Sequence, residues 1–168
     1  MALRKIVQIG DPILNKKCRV VTDFNERLWQ LLDDMRETLE EANGLGLAAP
    51  QVGVLRAACL VAEEKEDGTL EYYELINPSI TKKEGSVTIY EGCLSIPERN
   101  GAIERPEKIT VTAQDRSGKE FEMKAEGLFA RAVCHEIDHL NGVIILDLAT
   151  DFLEDHEDEE VVTQLGGN

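Results

Sequence analysis

No lysine or arginine follows Arg131, and the chain of 168 residues carries a formal net charge of −15. Phosphate backbones and acidic lipid surfaces are held by basic patches, so this balance argues against a general nucleic-acid or membrane-surface binder. No apolar run approaches the length that crosses a bilayer. At the start of the chain, Gly10 and Asp11 arrive before a signal-peptide core could form, which makes the cytosol the expected compartment. The four cysteines, at positions 18, 59, 93 and 134, include no close pair and no C-x-x-C. In a reducing compartment they read as buried thiols or a metal ligand rather than as disulfides. Repeats, low-complexity tracts and linkers are also missing, and the length suits one ordinary domain.

Only three histidines are present, and two of them fall in the pattern His135-Glu136-x-x-His139. Phe129, Val133, Ile137 and Leu140 recur around them at helical spacing, and Gly142 after Asn141 supplies a stop. On such a helix, residues four apart stack on one face, so both imidazoles can bind one metal ion. Glu136 sits about 100° round from His135, within reach of a water on that metal. The bland alternatives are a chance pairing on a buried helix and a purely structural metal. Either way the helix supplies half of a site, and the rest has to come from elsewhere.

Taken in order, the chain opens with two short apolar runs around a turn-like G-D-P at 10–12. Phe24, Leu28, Leu31, Leu32, Met35 and Leu39 then mark the apolar stripe of a first helix, with Asp23 and Glu26 as its capping box and Asn43-Gly44 as its end. The glycine-rich G-L-G-L-A-A-P-Q-V-G, 44–53, reads as a tight loop in which the backbone can approach a ligand. It lacks the third glycine of a dinucleotide fingerprint and follows a helix rather than a strand. Strand candidates follow at 56–63, 70–76 and 86–90, with a hairpin at 108–114 and 119–125 around D-R-S-G. Another short strand is expected at 143–148, before an acidic tail. Runs of short strands flanked by two helices point to an α+β fold. The expected organisation is a single catalytic domain over 1–149 and a frayed acidic tail over 150–168.

Three protein ligands plus water make a catalytic metal site, whereas a fourth protein ligand closes it. A third histidine six residues after His139 is ruled out, because that position is Ile145. Glu154, Glu157 or Glu160 could serve only if the tail folded back, and the tail lacks the apolar pattern of a packed helix. Cys93, in the glycine-flanked turn E-G-C-L-S-I-P, is the stronger candidate, since a thiolate suits a soft or borderline metal. Its other reading is a small buried hydrophobe.

The three segments G-L-G-L-A-A-P-Q (44–51), E-G-C-L-S (91–95) and H-E-I-D-H-L-N-G (135–142), in that order, strongly resemble the peptide deformylase family. The resemblance runs from about Ile6 to Leu148, and G-D-P and R-P-E-K (105–108) also look like family features. It implies antiparallel sheets packed around a central metal-binding helix, with an N-terminal helix besides. It implies one divalent metal ion held by Cys93, His135 and His139, ferrous iron in the cell, with zinc, nickel or cobalt able to take the site. The implied reaction hydrolyses the N-formyl group of formyl-methionyl nascent chains and releases formate. In it, metal-bound water attacks the formyl carbon, Glu136 is general acid and base, and Gln51 with the Leu94 N–H stabilises the oxyanion. Gly44, Leu45, Gly46, Ile89, Glu91, Gly92 and Leu128 are implied to bind substrate, with Leu45, Ile89, Leu128 and His135 lining the methionine pocket. Formylated initiation suggests a bacterium or an organelle, and the missing transit peptide favours a bacterium.

Three departures from the family pattern stand out. Cys134 occupies the place of the usual glutamine before the first histidine, where it is expected to affect packing or the ligands' surroundings. Glu126 stands where aspartate is common, and glutamate is the poorer helix cap. The tail is acidic, unlike the basic C-terminal helix of members that dock on the ribosome, so no such docking is expected through it. Two other functions remain at this point. A metallopeptidase would cleave peptide bonds without releasing formate, and a non-catalytic metal-binding protein would need neither Glu136 nor Gln51.

Overall fold

Residues Ala58 to Ala62 are apolar without a polar break, so a strand there has to be covered on both faces. The computed structural model, which describes residues 2–154 and 162–164, covers it with a helix on each side. The elements in chain order are α1 (Glu26–Ala42), β1 (Gly46–Ala48), β2 (Ala58–Glu64), β3 (Leu70–Glu84), β4 (Val87–Cys93) and β5 (Ile96–Arg105). They continue with β6 (Lys108–Gln114), β7 (Glu120–Glu126), α2 (Gly127–Leu140), α3 (Ile145–Leu148), β8 (Phe152–Glu154) and β9 (Val162–Gln164). One sheet has the order β1-β2-β3-β6-β7 and the other β8-β5-β4-β9. Between these described strands every pairing is antiparallel except that of β4 with β9. The fold is α+β, as the succession of elements predicts.

Side-chain alternation divides the first sheet between the helices. Leu47, Ala58, Leu60 and Ile76 meet Leu28, Leu31, Leu32, Met35 and Leu39 of α1. Ala48, Cys59, Val61 and Leu75 face the other way, onto Phe129, Val133, Ile137 and Leu140 of α2. A third cluster joins Leu14, Cys93, Ile96, Ile103, Ile144 and Ile145 beside the second sheet. No helix among the described residues is long and apolar enough to cross a membrane.

The structure moves several local expectations. The first helix is capped by Asn25, whose side chain accepts from the Leu28 N–H at 3.3 Å, and not by Asp23. The cap has to precede the first helical residue, and that residue is Glu26, so the Asp23–Glu26 spacing is a template match without the geometry. At its other end Asn43 is left-handed at φ 56°, as the Asn-Gly pair predicts. Val143 to Leu148 is not a strand. The Asp147 carboxylate accepts from the Ile144 N–H at 2.9 Å and closes the short helix α3. β3 extends past Ile76 to Glu84 by bulging at Asn77 and Pro78, where proline cannot donate to a ladder. The glycine loop contains β1 and a 3-10 turn over Ala49–Val52. β5, Ile96–Arg105, has no counterpart among the strand candidates, and only its first two residues fall in the turn expected at 91–97. The tail carries strands at Phe152–Glu154 and Val162–Gln164, and the rest of it, 155–161 and 165–168, lies outside the described residues.

Two substitutions test this packing. Leu32→Ala empties a fully buried position between α1 and the sheet. It should cost about 2–5 kcal/mol in urea denaturation. Gly142 follows α2 at φ +76°, and a Cβ there would lie 2.7 Å from the Asn15 carbonyl oxygen. Gly142→Ala should therefore destabilise by more than about 1 kcal/mol, read by the same method, and an unchanged midpoint would contradict the stop assigned to it.

Candidate metal centre

α2 is anchored along one side by its apolar residues, which leaves His135 and His139 a turn apart on another. Their ring centroids are 4.9 Å apart, and both residues are buried. Cys93 is the last residue of β4, beyond an irregularity in the ladder between Glu91 and Cys93. That placement brings its Sγ to 3.3 Å from His139 Nε2. Ligand atoms of Cys93, His135 and His139 all lie within 4.8 Å of one another. Bond lengths of about 2.0–2.3 Å to a tetrahedral ion would put such atoms roughly 3.3–3.8 Å apart, so small side-chain movements close the site. His135 Nε2 is buried and has no hydrogen-bond partner among protein atoms. A buried lone pair without a donor, beside a thiol and a second imidazole, is what a metal ligand requires. Sulfur with two nitrogens suits iron, zinc, nickel or cobalt better than magnesium or calcium.

The other nitrogen of His135 is fixed. Nδ1 lies 2.9 Å from Glu91 Oε1, so a proton on Nδ1 leaves Nε2 free to ligate. Glu91 is completely buried and also takes charged hydrogen bonds from Arg105 and Arg131. Arg131 and His135 are four apart on α2, hence on one face, and both meet the same carboxylate. Arg131 further donates to the carbonyls of Ile103 and Val87, and Arg105 pairs with Asp138. The resemblance placed Glu91 among the substrate-binding residues. Its burial and its occupied oxygens put it behind the metal ligands instead.

Glu136 is completely buried too, yet neither of its oxygens has a protein partner, and Oε2 lies 4.0 Å from His135 Nε2. Burial pushes its carboxyl up to about 7, against the lowering influence of His135. At His135 itself burial opposes charging, but Glu136 and Cys93 outweigh it and raise the imidazole well above its usual range. At His139, by contrast, burial and then the neighbouring His135 hold the imidazole well below its usual range. A Cβ on Gly46 would overlap the Glu136 carboxyl, so only glycine lets β1 pass there.

Gln51 is held from both sides. Its Oε1 accepts from the Ala48 N–H at 2.9 Å, which directs Nε2 towards Ser95 Oγ at 3.1 Å and Cys93 Sγ at 3.6 Å. Leu94 follows Cys93, is half-buried and packs against the α1 cluster. Gly44 and Gly92 are buried, Leu45 and Ile89 half-buried, and Leu128 is 54% exposed at the start of α2. Ile89 shares a face of β4 with Glu91, and Leu128 lies seven residues, about two turns, before His135 on α2. Cys134 is buried in the core between α2 and the sheet, where burial pushes its thiol up to about 11. Glu126 caps α2 without a side-chain hydrogen bond, as its length predicts. Sequence reasoning missed Arg131, Asp138 and Ser95. For Arg131 a signal existed, an arginine among apolar residues at helical spacing from His135.

With this geometry in hand, the chain can be set beside known proteins. A family profile described as polypeptide deformylase matches residues 3–154. The chain is 54% identical over 160 residues to a peptide deformylase of Caldicellulosiruptor bescii, covering 95% of this chain and 93% of that one. It is 48% identical over 161 residues to one of Thermoanaerobacter pseudethanolicus, covering 96% and 98%. Among solved structures, peptide deformylase from Thermotoga maritima superposes with a TM-score of 0.83 at 37% identity, covering 90% of this chain and all of that one. The enzyme from Legionella pneumophila gives 0.82 at 41%, covering 89% and 87%. With a matching profile over nearly its whole length and relatives this similar, the chain belongs to the peptide deformylase family.

Proposed function

We propose that this protein hydrolyses the N-formyl group of formyl-methionyl polypeptides in the bacterial cytoplasm. The observation that carries the reading is Glu136, a buried and unpartnered carboxyl beside three convergent metal ligands. A structural metal site has no use for such a group. Cys93, His135 and His139 would hold the ion, which would be ferrous iron in the cell. What a divalent ion supplies there when bound is Lewis acidity towards a carbonyl oxygen and towards water.

The chain's own groups account for the remaining steps. Glu136 takes a proton from the attacking water as its oxygen bonds to the formyl carbon. The tetrahedral adduct carries negative charge on the former carbonyl oxygen, and Gln51 Nε2 with the Leu94 N–H donates to it. Gln51 cannot swing away, because Ala48 holds its other end. The C–N bond then breaks, Glu136 returns the proton to the departing amine, and formate leaves. A carboxyl near neutrality suits both transfers. The peptide main chain lies between Gly44–Gly46 and Gly92, while Leu45, Ile89 and Leu128 receive the methionine side chain. Glu91 holds His135 in the ligating tautomer, with Arg105 and Arg131 balancing its charge.

Glu136→Gln should keep its metal by elemental analysis yet lose about 10²–10⁴ in kcat for formate release. Unchanged turnover would refute the role of Glu136. Gln51→Ala should lose about 10²–10³. Glu91 yields a pH prediction. Burial alone would raise its carboxyl, but His135 and Arg105 pull it down from 4.5 to about 2. A carboxyl lowered in the folded state stabilises above its unfolded value, and the contribution is lost as pH falls from about 4.5 to about 2. Urea midpoints should fall through that window in the parent and less steeply in Glu91→Gln. Parallel curves would contradict the buried ion network.

A further inference from the structure

β1 and β4 are both terminal strands of their sheets once β9 is set aside, and the metal trio lies where their ends converge. Gly46 of β1 touches Glu136, and β4 ends in Cys93. An exposed strand edge presents unpaired N–H and C=O groups and takes an extended peptide as an added strand. β5 occupies one side of β4, so the remaining side is the only one open to a peptide. That side is taken by the chain itself: Val162, Thr163 and Gln164 pair in parallel with Tyr90, Glu91 and Gly92. The pairing stops one residue short of the Cys93 ligand.

We propose that Val162–Gln164 is an autoinhibitory strand that occupies the substrate's edge of β4 until a peptide displaces it. The proposal rests on the deformylase reading above. A substrate with its formylated N-terminus at the ligands has to run back along β4 in the antiparallel sense, whereas the tail runs towards Cys93. The two therefore use the same backbone groups in opposite directions and exclude each other. The tail has no amino terminus at the ligands, so it cannot be consumed there. Three parallel residues form a weak pairing, which suits a displaceable occupant better than a lock. Weak pairing is enough for competition, because the short connection over 155–161 keeps the strand at an effective concentration on the order of millimolar.

The test uses the full chain carrying Thr163→Pro, since proline cannot donate to a strand ladder. KM for a formyl-Met tripeptide should fall about three- to tenfold with kcat unchanged. A synthetic peptide of residues 155–168 should inhibit the variant competitively. Amide hydrogen exchange over Tyr90–Gly92 should be faster in the variant than in the parent. Formate release with KM and exchange both unchanged would overturn the proposal while leaving the deformylase reading intact. No formate release from either protein would overturn the deformylase reading, and the inhibitory role with it, even if exchange differed.

Discussion

The site depends on one buried carboxylate. Glu91 lies on β4 two residues before Cys93, and through it the strand is tied to α2, which carries both histidines. Chain segments about forty residues apart are thereby brought to one point. A completely buried carboxylate is costly unless its charge is balanced and its oxygens are satisfied. Arg105, Arg131 and His135 do both, so the network specifies one register of strand against helix. It also leaves His135 Nε2 as the lone pair that faces Cys93 and His139.

The sheet between the helices plays the complementary part. α1 has no chemistry on it, but it covers the outer face of β1 and β2, and this permits the inner face to press against α2. Gly46 and Gln51 are then delivered to Glu136 and Cys93 by the start of β1 and the turn that follows the strand. Small residues at Gly44, Gly46 and Ala48 matter because the main chain itself has to approach the site.

Much of this was legible in the sequence, and unevenly. α2, its histidines and its stop follow from spacing, because a 3.6-residue period with two histidines four apart has few other solutions. The hairpin of β6 and β7 follows from D-R-S-G between two alternating runs. Residues 143–148 were misread because a short apolar run is common to strands and buried helical turns, and only the Asp147 contact decides. β5 was hidden by Pro97 and Gly101, which punctuate a sequence even where the ladder tolerates them. The function of Glu91 was misassigned for a deeper reason. A carboxylate in a glycine-rich motif looks like a surface residue, and its burial depends on Arg105 and Arg131, which are distant in sequence. Cys93 could not be chosen as third ligand from spacing alone. Three ordered motifs singled it out, and the folded chain brings it to the histidines.

The central claim is that a metal held by Cys93, His135 and His139 serves deformylation. Its most direct test is anaerobic purification, followed by metal analysis and a formate assay on a formyl-Met peptide. The account predicts about one iron per chain and stoichiometric release of formate and free amino terminus, with every peptide bond intact. Metal-loaded protein that releases no formate, or that cleaves the peptide bond instead, would contradict it.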